Sequence, residues 1–566
     1  MDERAVGELV RALRLPEPLC RLLVLRGYST IDGAKSFLRP RLEGLGDPWA
    51  MAGMEAAVER VSRALERGET ILVHGDYDVD GICATALYTR VLRLLGGRVR
   101  PFVPRRLVDG YDLGAAGVAA AVEAGATLIL TADCGIVAHE AIAAAAAAGI
   151  DVVVTDHHTP GPELPAAAGV LNPNRPDCPY PDKTLSGTGV AFKLCQALWA
   201  ARGMPAEDLW YFLDLVAIAT IADLAPLTGE NRILTRYGLR VLPVTRNAGL
   251  RALLRRTGLA DKPRIVAGHV SHVLGPRLNA VGRMGEAAWG VRLLLAESEA
   301  EAEPLAERLE SDNRERQIAD RETLREALEL LERSYDPERD HAVVLAAPGW
   351  HAGVIGIVAS RVVERIHRPT ILIAIAEAGR PARGSARSIP AFHLYEALRA
   401  CAHYLERYGG HKYAAGLEIR PERIDAFREA FNAHACATLT ADDLVAEVEV
   451  DVELRLADAN AELFRYLRHL GPFGVGNPEP VFAARGVSVA GYPRVVGDGH
   501  LKLDLVQDGV RLDAIGFRMA ERMREVDVNR GAIDVAFQLQ EDRWGNQVSL
   551  QARLVDLRPA EGSARG

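Results

Sequence analysis

A chain of 566 residues, 49% hydrophobic and 25% charged, is too long for one core and too apolar for disorder; about three or four packed domains are expected. Its 67 basic and 76 acidic residues, net −9, exclude a protein that coats nucleic acid through overall charge, but leave room for a local basic groove. The 7 scattered cysteines form no CxxC pair, which argues against a disulfide framework or zinc ribbon and for a reducing cytoplasm.

Residues 1–48 read as short helices ending in FLRPRLEGLGDPW. From 49 to 245 the rhythm is helix, short apolar strand, helix. AAVERVSRALERG is amphipathic and closes at Gly68, ILVHGD is a buried strand and TALYTRVLRLLGG a helix; TLILTADCG and DVVVTDHH repeat the unit. This alternation predicts an α/β fold with a parallel, doubly wound sheet. Residues 246–338 read as a helical connector, in which AESEAEAEPLAERLESDNRERQIADRETLREALELLERS is a long solvent-bridging helix laced with i,i+4 ion pairs. A second α/β block, 339–437, holds AVVLAAP, TILIAIA and the glycine-rich RYGGHKYAAG. From 438 to 558, VEVDVEL, VSVAGY, HLKLDLV, VRLDAIGF, AIDVAFQL and QVSLQARLVDL read as short strands, interrupted by one helix, MAERMREVD. They predict a small β-barrel of OB type. Residues 559–566 read as a disordered tail. The acidic N-terminus MDERAVGELV lacks the pattern of a signal peptide, and no apolar run is long enough for a membrane span.

Ligands of an open parallel sheet bind outside the carboxyl ends of its strands. Four apolar stretches here are read as strands that end in anionic or imidazole groups. ILVHGDYDVDG sets His74, Asp78 and Asp80 in a loop closed by Gly81, with Asp76 at a different phase. LILTADCG ends at Asp133, VVVTDHH at Asp156, His157 and His158, and AIATIADLAPL at Asp223. Singly, an Asp after a strand is most often an N-cap. Together, so many carboxylates at one sheet edge repel one another unless a divalent cation, or a pair, compensates them. Carboxylates with imidazole and no thiolate favour Mn²⁺, with Mg²⁺ also able to serve. Two such ions about 3.5–4 Å apart clamp an in-line displacement at phosphorus, and Asp133 is the candidate bridge.

The HxxxDxD motif, the isolated Asp, the Asp-His-His triplet and the later Asp resemble the four motifs of the DHH phosphoesterase superfamily. GDYDVDGICATA, LNPNRPDCPYPDKTLSGTGVAFKL, LGPRLNAVGRM, GWHAGVIGIVASRV, GSARSIPAFHLYEAL and LGPFGVGNPEPVF resemble the RecJ exonucleases across nearly the whole chain. That resemblance implies one metal on His74, Asp78 and Asp133, and a second on Asp80, Asp133, His157 and Asp223. His158 would donate to the substrate phosphate, completing a catalytic group of Asp80, Asp133, His157, His158 and Asp223, with Asp156 and Asp76 orienting their neighbours. The second block resembles a DHHA1 domain. By resemblance its Ser385, Arg387, Gly410 and His411, with Arg277 and Arg283, would anchor DNA phosphates, and Arg105 and Tyr111 would join them, Tyr111 stacking a base. The third block resembles the RecJ OB domain; its sparse aromatics, Tyr492, Phe517, Phe537 and Trp544, are expected mostly in the core.

The activity so implied is two-metal, Mn²⁺-dependent hydrolysis of single-stranded DNA, 5′→3′, to 5′-mononucleotides in repair and recombination. The resemblance further implies a cytoplasmic monomer, with a single-strand-binding protein and a RecQ-type helicase as partners. Two rivals stand beside it: a DHH phosphodiesterase acting on nanoRNA or cyclic dinucleotides, and an inactive DNA-binding replication scaffold.

Overall fold

The computed structural model describes residues 1–106, 108–376, 380–526, 532–544 and 547–560. Strands β1 (Thr70–Gly75), β2 (Arg98–Phe102), β3 (Leu128–Ala132), β4 (Asp151–Thr155) and β5 (Gly169–Leu171) form one sheet. All pairings are parallel, in the order β2-β1-β3-β4-β5. The strands read as unbroken apolar runs because both faces are covered. Ile71, Val73, Leu128 and Leu130 face one apolar cluster; Leu72, Ile129, Val152 and Val154 face the other. The strand order reverses between β1 and β3, and the crevice at such a switch point is where an open sheet binds its ligand.

The stretch read as a connector is more than a spacer. Helices Ala248–Arg256, Gly275–Met284 and Ala288–Leu295 sink Leu250, Leu253, Leu278, Val281 and Leu293 into the core of the first sheet. The long helix Glu299–Ser334 does carry i,i+4 pairs, such as Arg308–Asp312 and Arg325–Glu329. It does not bridge through solvent, however. Ala302, Ala306 and Leu309 lie in the first core, and Ala327 and Leu331 in a second one beyond. Charge pattern showed the exposed face of this helix, whereas small residues on the other face mark where it is embedded.

The second sheet comprises β6 (Val343–Pro348), β7 (Thr370–Ile375), β8 (Ala382–Arg387), β9 (Leu405–Gly410) and β10 (Ala414–Ile419), ordered β6-β7-β8-β10-β9, with only β6 and β7 parallel. The third comprises β11 (Val452–Glu453), β12 (Phe482–Val489), β13 (Arg494–Val496), β14 (His500–Gln507), β15 (Val510–Gly516), β16 (Ile533–Trp544) and β17 (Gln547–Pro559). An additional β12–β14 pairing closes it into a barrel.

Some local expectations change. VEVDVEL pairs only at Val452 and Glu453, and MAERMREVD forms a 3₁₀ turn, Ala520–Glu525. Phe537 is core, but Tyr492 is 89% and Phe517 49% exposed, because each sits on a turn beyond the strand that should have buried it. The Trp544 side chain and tail residues 561–566 lie outside the described residues, and Pro559 of the expected tail closes β17.

The N-terminal helices do not form a unit of their own. Val6, Leu9, Leu19, Leu22, Leu23 and Phe37 share one apolar cluster with Val452, Leu463, Phe482 and Phe537 of the barrel region. No helix among the described residues is long and apolar enough to cross a membrane.

Candidate metal centre

The chain turns sharply after β1. Asp78 caps helix Val79–Leu94, accepting from the Asp80 and Gly81 amides at 3.0 and 3.1 Å, so the N-cap reading of this residue is also true. Gly81 is required there, since a Cβ would lie 2.4 Å from the Asp76 nitrogen. Asp80 turns inward, and its two oxygens accept from the Gly187 and Thr188 amides, each at 2.7 Å. These amides open helix Gly187–Ala201, whose N-terminus favours negative charge. Asp133 follows β3 with φ +67°, a left-handed conformation that Asp tolerates. A Cβ on Gly187 would lie 2.3 Å from Asp133 Oδ1, so glycine lets the backbone approach that carboxylate.

His157 is the geometric hub. Its Nδ1 donates to the Leu185 carbonyl at 3.1 Å, which fixes the tautomer and leaves a lone pair on Nε2. Nε2 lies 3.1 Å from Asp133 Oδ1 and 3.9 Å from Asp80 Oδ2 and Asp223 Oδ2. When these carboxylates are ionised, only lone pairs face one another there. Asp223 ends helix Leu213–Ala222 rather than a strand. This corrects the strand reading of AIATIA, a short apolar run whose period does not separate a buried helix from a strand.

Ligand atoms lie within 4.8 Å of one another in three groups: Asp133–His157–His158, Asp80–His157–Asp223, and Asp76–Asp78–Asp133. Asp133 is common to two of them. His74 is in none; it is fully buried, with Nδ1 3.6 Å from Cys134 Sγ. Asp76, set aside in the sequence as out of phase, stands in the group with Asp78 and Asp133 instead. The even spacing of Asp76, Asp78 and Asp80 carried that signal.

The residues fit a bound cation. His74 Nε2, Asp76 Oδ1, Asp133 Oδ1 and His157 Nε2 are buried and lack hydrogen-bond partners, an arrangement that costs free energy unless something positive satisfies it. Burial, then Asp80, Asp78 and Asp223, push the Asp133 carboxyl well above its ordinary value. Burial with Asp80 and Asp78 lifts Asp223 to about 9, and burial with Asp78 raises Asp76. Burial also pushes the Cys134 thiol far up. His158 behaves differently. Burial opposes its charge, but the 2.7 Å bond to Asp156 and neighbouring carboxylates lift it to about 9.

These shifts set a pH dependence. Without metal, Asp223 keeps in the folded chain a proton that the unfolded chain loses near 3.8, so stability falls as pH rises between those values. The raised His158 contributes stability that is complete below 6.5 and lost through about 9. His74, lowered to about 4 by burial, opposes them only below 6.5. Melting of chelator-treated protein should therefore fall between pH 6.5 and 9, and Mn²⁺ should flatten or reverse the trend. A flat metal-free profile would contradict the crowding of carboxylates.

A basic wall stands across the crevice. Arg283 Nη1 donates to the Gly353 carbonyl at 3.2 Å, and Arg387 on β8 donates to Ser385 Oγ at 3.1 Å. Burial and the neighbouring Arg106, Arg387 and Arg316 guanidiniums push Arg283 down to about 10. Arg106, not singled out in the sequence, lies over the Tyr77 ring at 5.1 Å. Among the described residues Arg106, Arg283 and Arg387 have no carboxylate partner in ion-pair range.

Of the other expected DNA contacts, Tyr111 borders the metal centre, whereas Arg105, Arg277, Gly410 and His411 are engaged elsewhere. Arg105 is exposed and paired with Asp109 at 3.0 Å, and Arg277 is paired with Glu310 at 2.6 Å. Tyr111 is 48% exposed, its hydroxyl 3.3 Å from the His158 ring. Gly410 and His411 form the β9–β10 hairpin, with no hydrogen bond to the basic wall among the described residues.

Comparisons with known proteins agree with this layout. Family models match the DHH family N-terminal domain over residues 70–220, the DHHA1 domain over 340–435 and the RecJ OB domain over 450–556. The single-stranded-DNA-specific exonuclease RecJ of Bacillus subtilis is 36% identical, over 99% of this chain and 70% of its own length. That of Dickeya dadantii is 39% identical, over 96% of both chains. The crystal structure of Thermus thermophilus RecJ with Mn²⁺ superposes at a TM-score of 0.84, with 35% identity, covering 99% of this chain and 79% of that one. The same protein has also been crystallised with Mg²⁺, matching at 0.79 and 33%, over 99% and 78%.

Proposed function

The chain belongs to the RecJ family of single-stranded-DNA-specific exonucleases, and from that premise we propose how its residues carry the reaction. The observation that carries the reading is the single imidazole nitrogen of His157 set within 3.9 Å of three carboxylates from distant parts of the chain. Asp80, Asp133, His157 and Asp223 would hold one divalent ion, and Asp133 with Asp78 and His74 or Asp76 the other. Bound Mn²⁺ or Mg²⁺ supplies charge stabilisation at phosphorus and lowers the pKa of water.

The protein's own part is positioning. His158, raised to about 9, is charged at neutral pH and can donate to a phosphate oxygen while Asp156 holds its ring. Arg283, Arg387 and Arg106, with Ser385, suit the terminal phosphate because guanidinium matches it bidentately. Tyr111 borders His158 and offers a ring to the terminal base. The crevice thus joins residues of the 49–245 block to those of 339–437, and a strand end is threaded between them. We assign 5′→3′ removal of mononucleotides in DNA repair and recombination to this arrangement. We also assign it a cytoplasmic monomer that acts on single strands exposed by a RecQ-type helicase and coated by a single-strand-binding protein. The 7 free cysteines suit that reducing compartment.

The test is substrate length and strandedness under Mn²⁺. Mononucleotides should be released from a long single strand far faster than from duplex or from a dinucleotide. Preferential cleavage of the dinucleotide would favour the small-substrate rival, and no cleavage with retained DNA binding the inactive scaffold.

A further inference from the structure

Where four separate stretches of chain meet, on the barrel side of the metal centre, basic side chains gather with a single acidic partner among the described residues. Arg236 and Arg240 lie on helix Gly229–Val241, Arg39 caps helix Ile31–Leu38, and Arg468 and His469 follow helix Ala461–Leu467. Arg264 belongs to the segment before Ala267–His269. Buried Arg232 ties the junction together, donating to the carbonyls of Phe37 at 3.1 Å, Leu470 at 2.7 Å and His469 at 3.2 Å. Arg236 donates to the His469 carbonyl at 3.2 Å. Arg39, Arg240, Arg264, Arg468 and His469 are exposed and Arg236 half-buried. Among the described residues one carboxylate, Glu541, comes into ion-pair range of any of these six, 3.6 Å from Arg468.

The charges are near enough to act on one another. Burial first, then Arg240 and Arg264, hold Arg236 below its ordinary value; burial, then Arg468 and Arg240, do the same to Arg264. His469 is lowered by burial and then by Arg236, Arg39, Arg264 and Arg468. Five guanidiniums gathered so on a chain of net charge −9 form a local field that draws in a polyanion.

We propose that this junction is a second site for the phosphate backbone, holding the length of single strand that lies outside the catalytic crevice. The helix bearing Arg236 and Arg240 begins at the wall of the metal centre. Its Asn231 accepts from the Ser186 amide and donates to the Thr184 carbonyl, directly before the Gly187 and Thr188 amides that hold Asp80. At about 1.5 Å per residue, Arg236 and Arg240 lie about 7 and about 14 Å further along that axis, within reach of a strand emerging from the crevice. Guanidiniums suit phosphate geometry. A protein partner would instead need an apolar anchor at its centre, and the Tyr237 ring here is already covered by the Arg240 guanidinium at 5.1 Å.

The inference rests on the exonuclease reading, and one experiment separates the two. The double variant Arg240→Glu with Arg264→Glu changes exposed residues outside the metal centre. Binding of a short and a several-fold longer oligothymidylate is measured on metal-free protein across salt concentrations, and turnover of the short one with Mn²⁺. The variant should turn over the short strand as wild type does, which also reports its fold. It should bind the long strand at least about tenfold more weakly, with a salt slope shallower by about 1.4, roughly 0.7 per lost charge. Unchanged long-strand affinity and slope would overturn the site. So would retained DNA binding with loss of affinity for polyglutamate, which would make the junction a surface for acidic proteins. Failure of wild-type protein to cleave the short strand would overturn the exonuclease reading instead.

Discussion

Asp133→Asn should abolish hydrolysis while leaving single-strand binding near wild type, with turnover lower by on the order of 10⁴-fold, as when one member of a cooperating catalytic unit is removed. Asp133 alone belongs both to the group with Asp76 and Asp78 and to a group with His157, and an amide cannot supply the second anionic oxygen that a shared ligand needs. The same change should not harm the metal-free fold. The Asp133 carboxyl is pushed far up by burial and by Asp80, Asp78 and Asp223, so a neutral side chain removes repulsion. Melting in chelator should be equal to or higher than wild type, while the rise on adding Mn²⁺, which follows the occupancy of a site present only in the native state, should shrink or vanish. Wild-type turnover would remove Asp133 from the centre. A variant that melts early in chelator would show a structural role instead.

Arg387→Ala should weaken binding of a strand carrying a terminal 5′-phosphate by about 10- to 100-fold, the range of one lost charge-assisted hydrogen bond of about 1.5–3 kcal/mol. The salt slope should become shallower by about 0.7. Arg387 is held by Ser385 Oγ and the Ala386 carbonyl, with no carboxylate among the described residues to neutralise it, so its charge is free for a ligand. Arg105→Ala serves as the comparison, since Arg105 is exposed and already paired with Asp109 and such pairs contribute little. A strand ending in a 5′-hydroxyl should lose little affinity with Arg387→Ala. An equal loss for both ends would place Arg387 on the path of the strand rather than at its terminus.

Much of this was legible in the chain. The apolar runs that end in His74, Asp133 and Asp156 are legible because a strand buried on both faces writes an unbroken hydrophobic word, and the acids that follow have few other places to be. Asp223 follows a helix and not a strand, since AIATIA is helical and buried on all sides but for Ala222. Arg106 was hidden beside Arg105 because spacing does not tell which of two adjacent arginines faces inward; only the fold puts one over Tyr77 and the other on Asp109. Asp76 shares its even spacing with Asp78 and Asp80 and joins the group of Asp78 and Asp133. Tertiary partners were least visible. Nothing in helix Glu299–Ser334 announces that its two ends enter different cores, since an amphipathic face records that it is covered and not by what.

The shared cluster of Val6, Leu9 and Phe37 with Phe482 and Phe537 has a consequence for how this polypeptide is made. During synthesis the helices within residues 3–38 leave the ribosome well before strands β12 and β16, which help to cover them. Until then their apolar faces have no native partner, and the loop to be closed contains both the first and the second sheet. Contacts of such long sequence separation form slowly and leave sticky surface exposed meanwhile, so the docking of these helices on the barrel is where newborn chains should be most dependent on protection from aggregation.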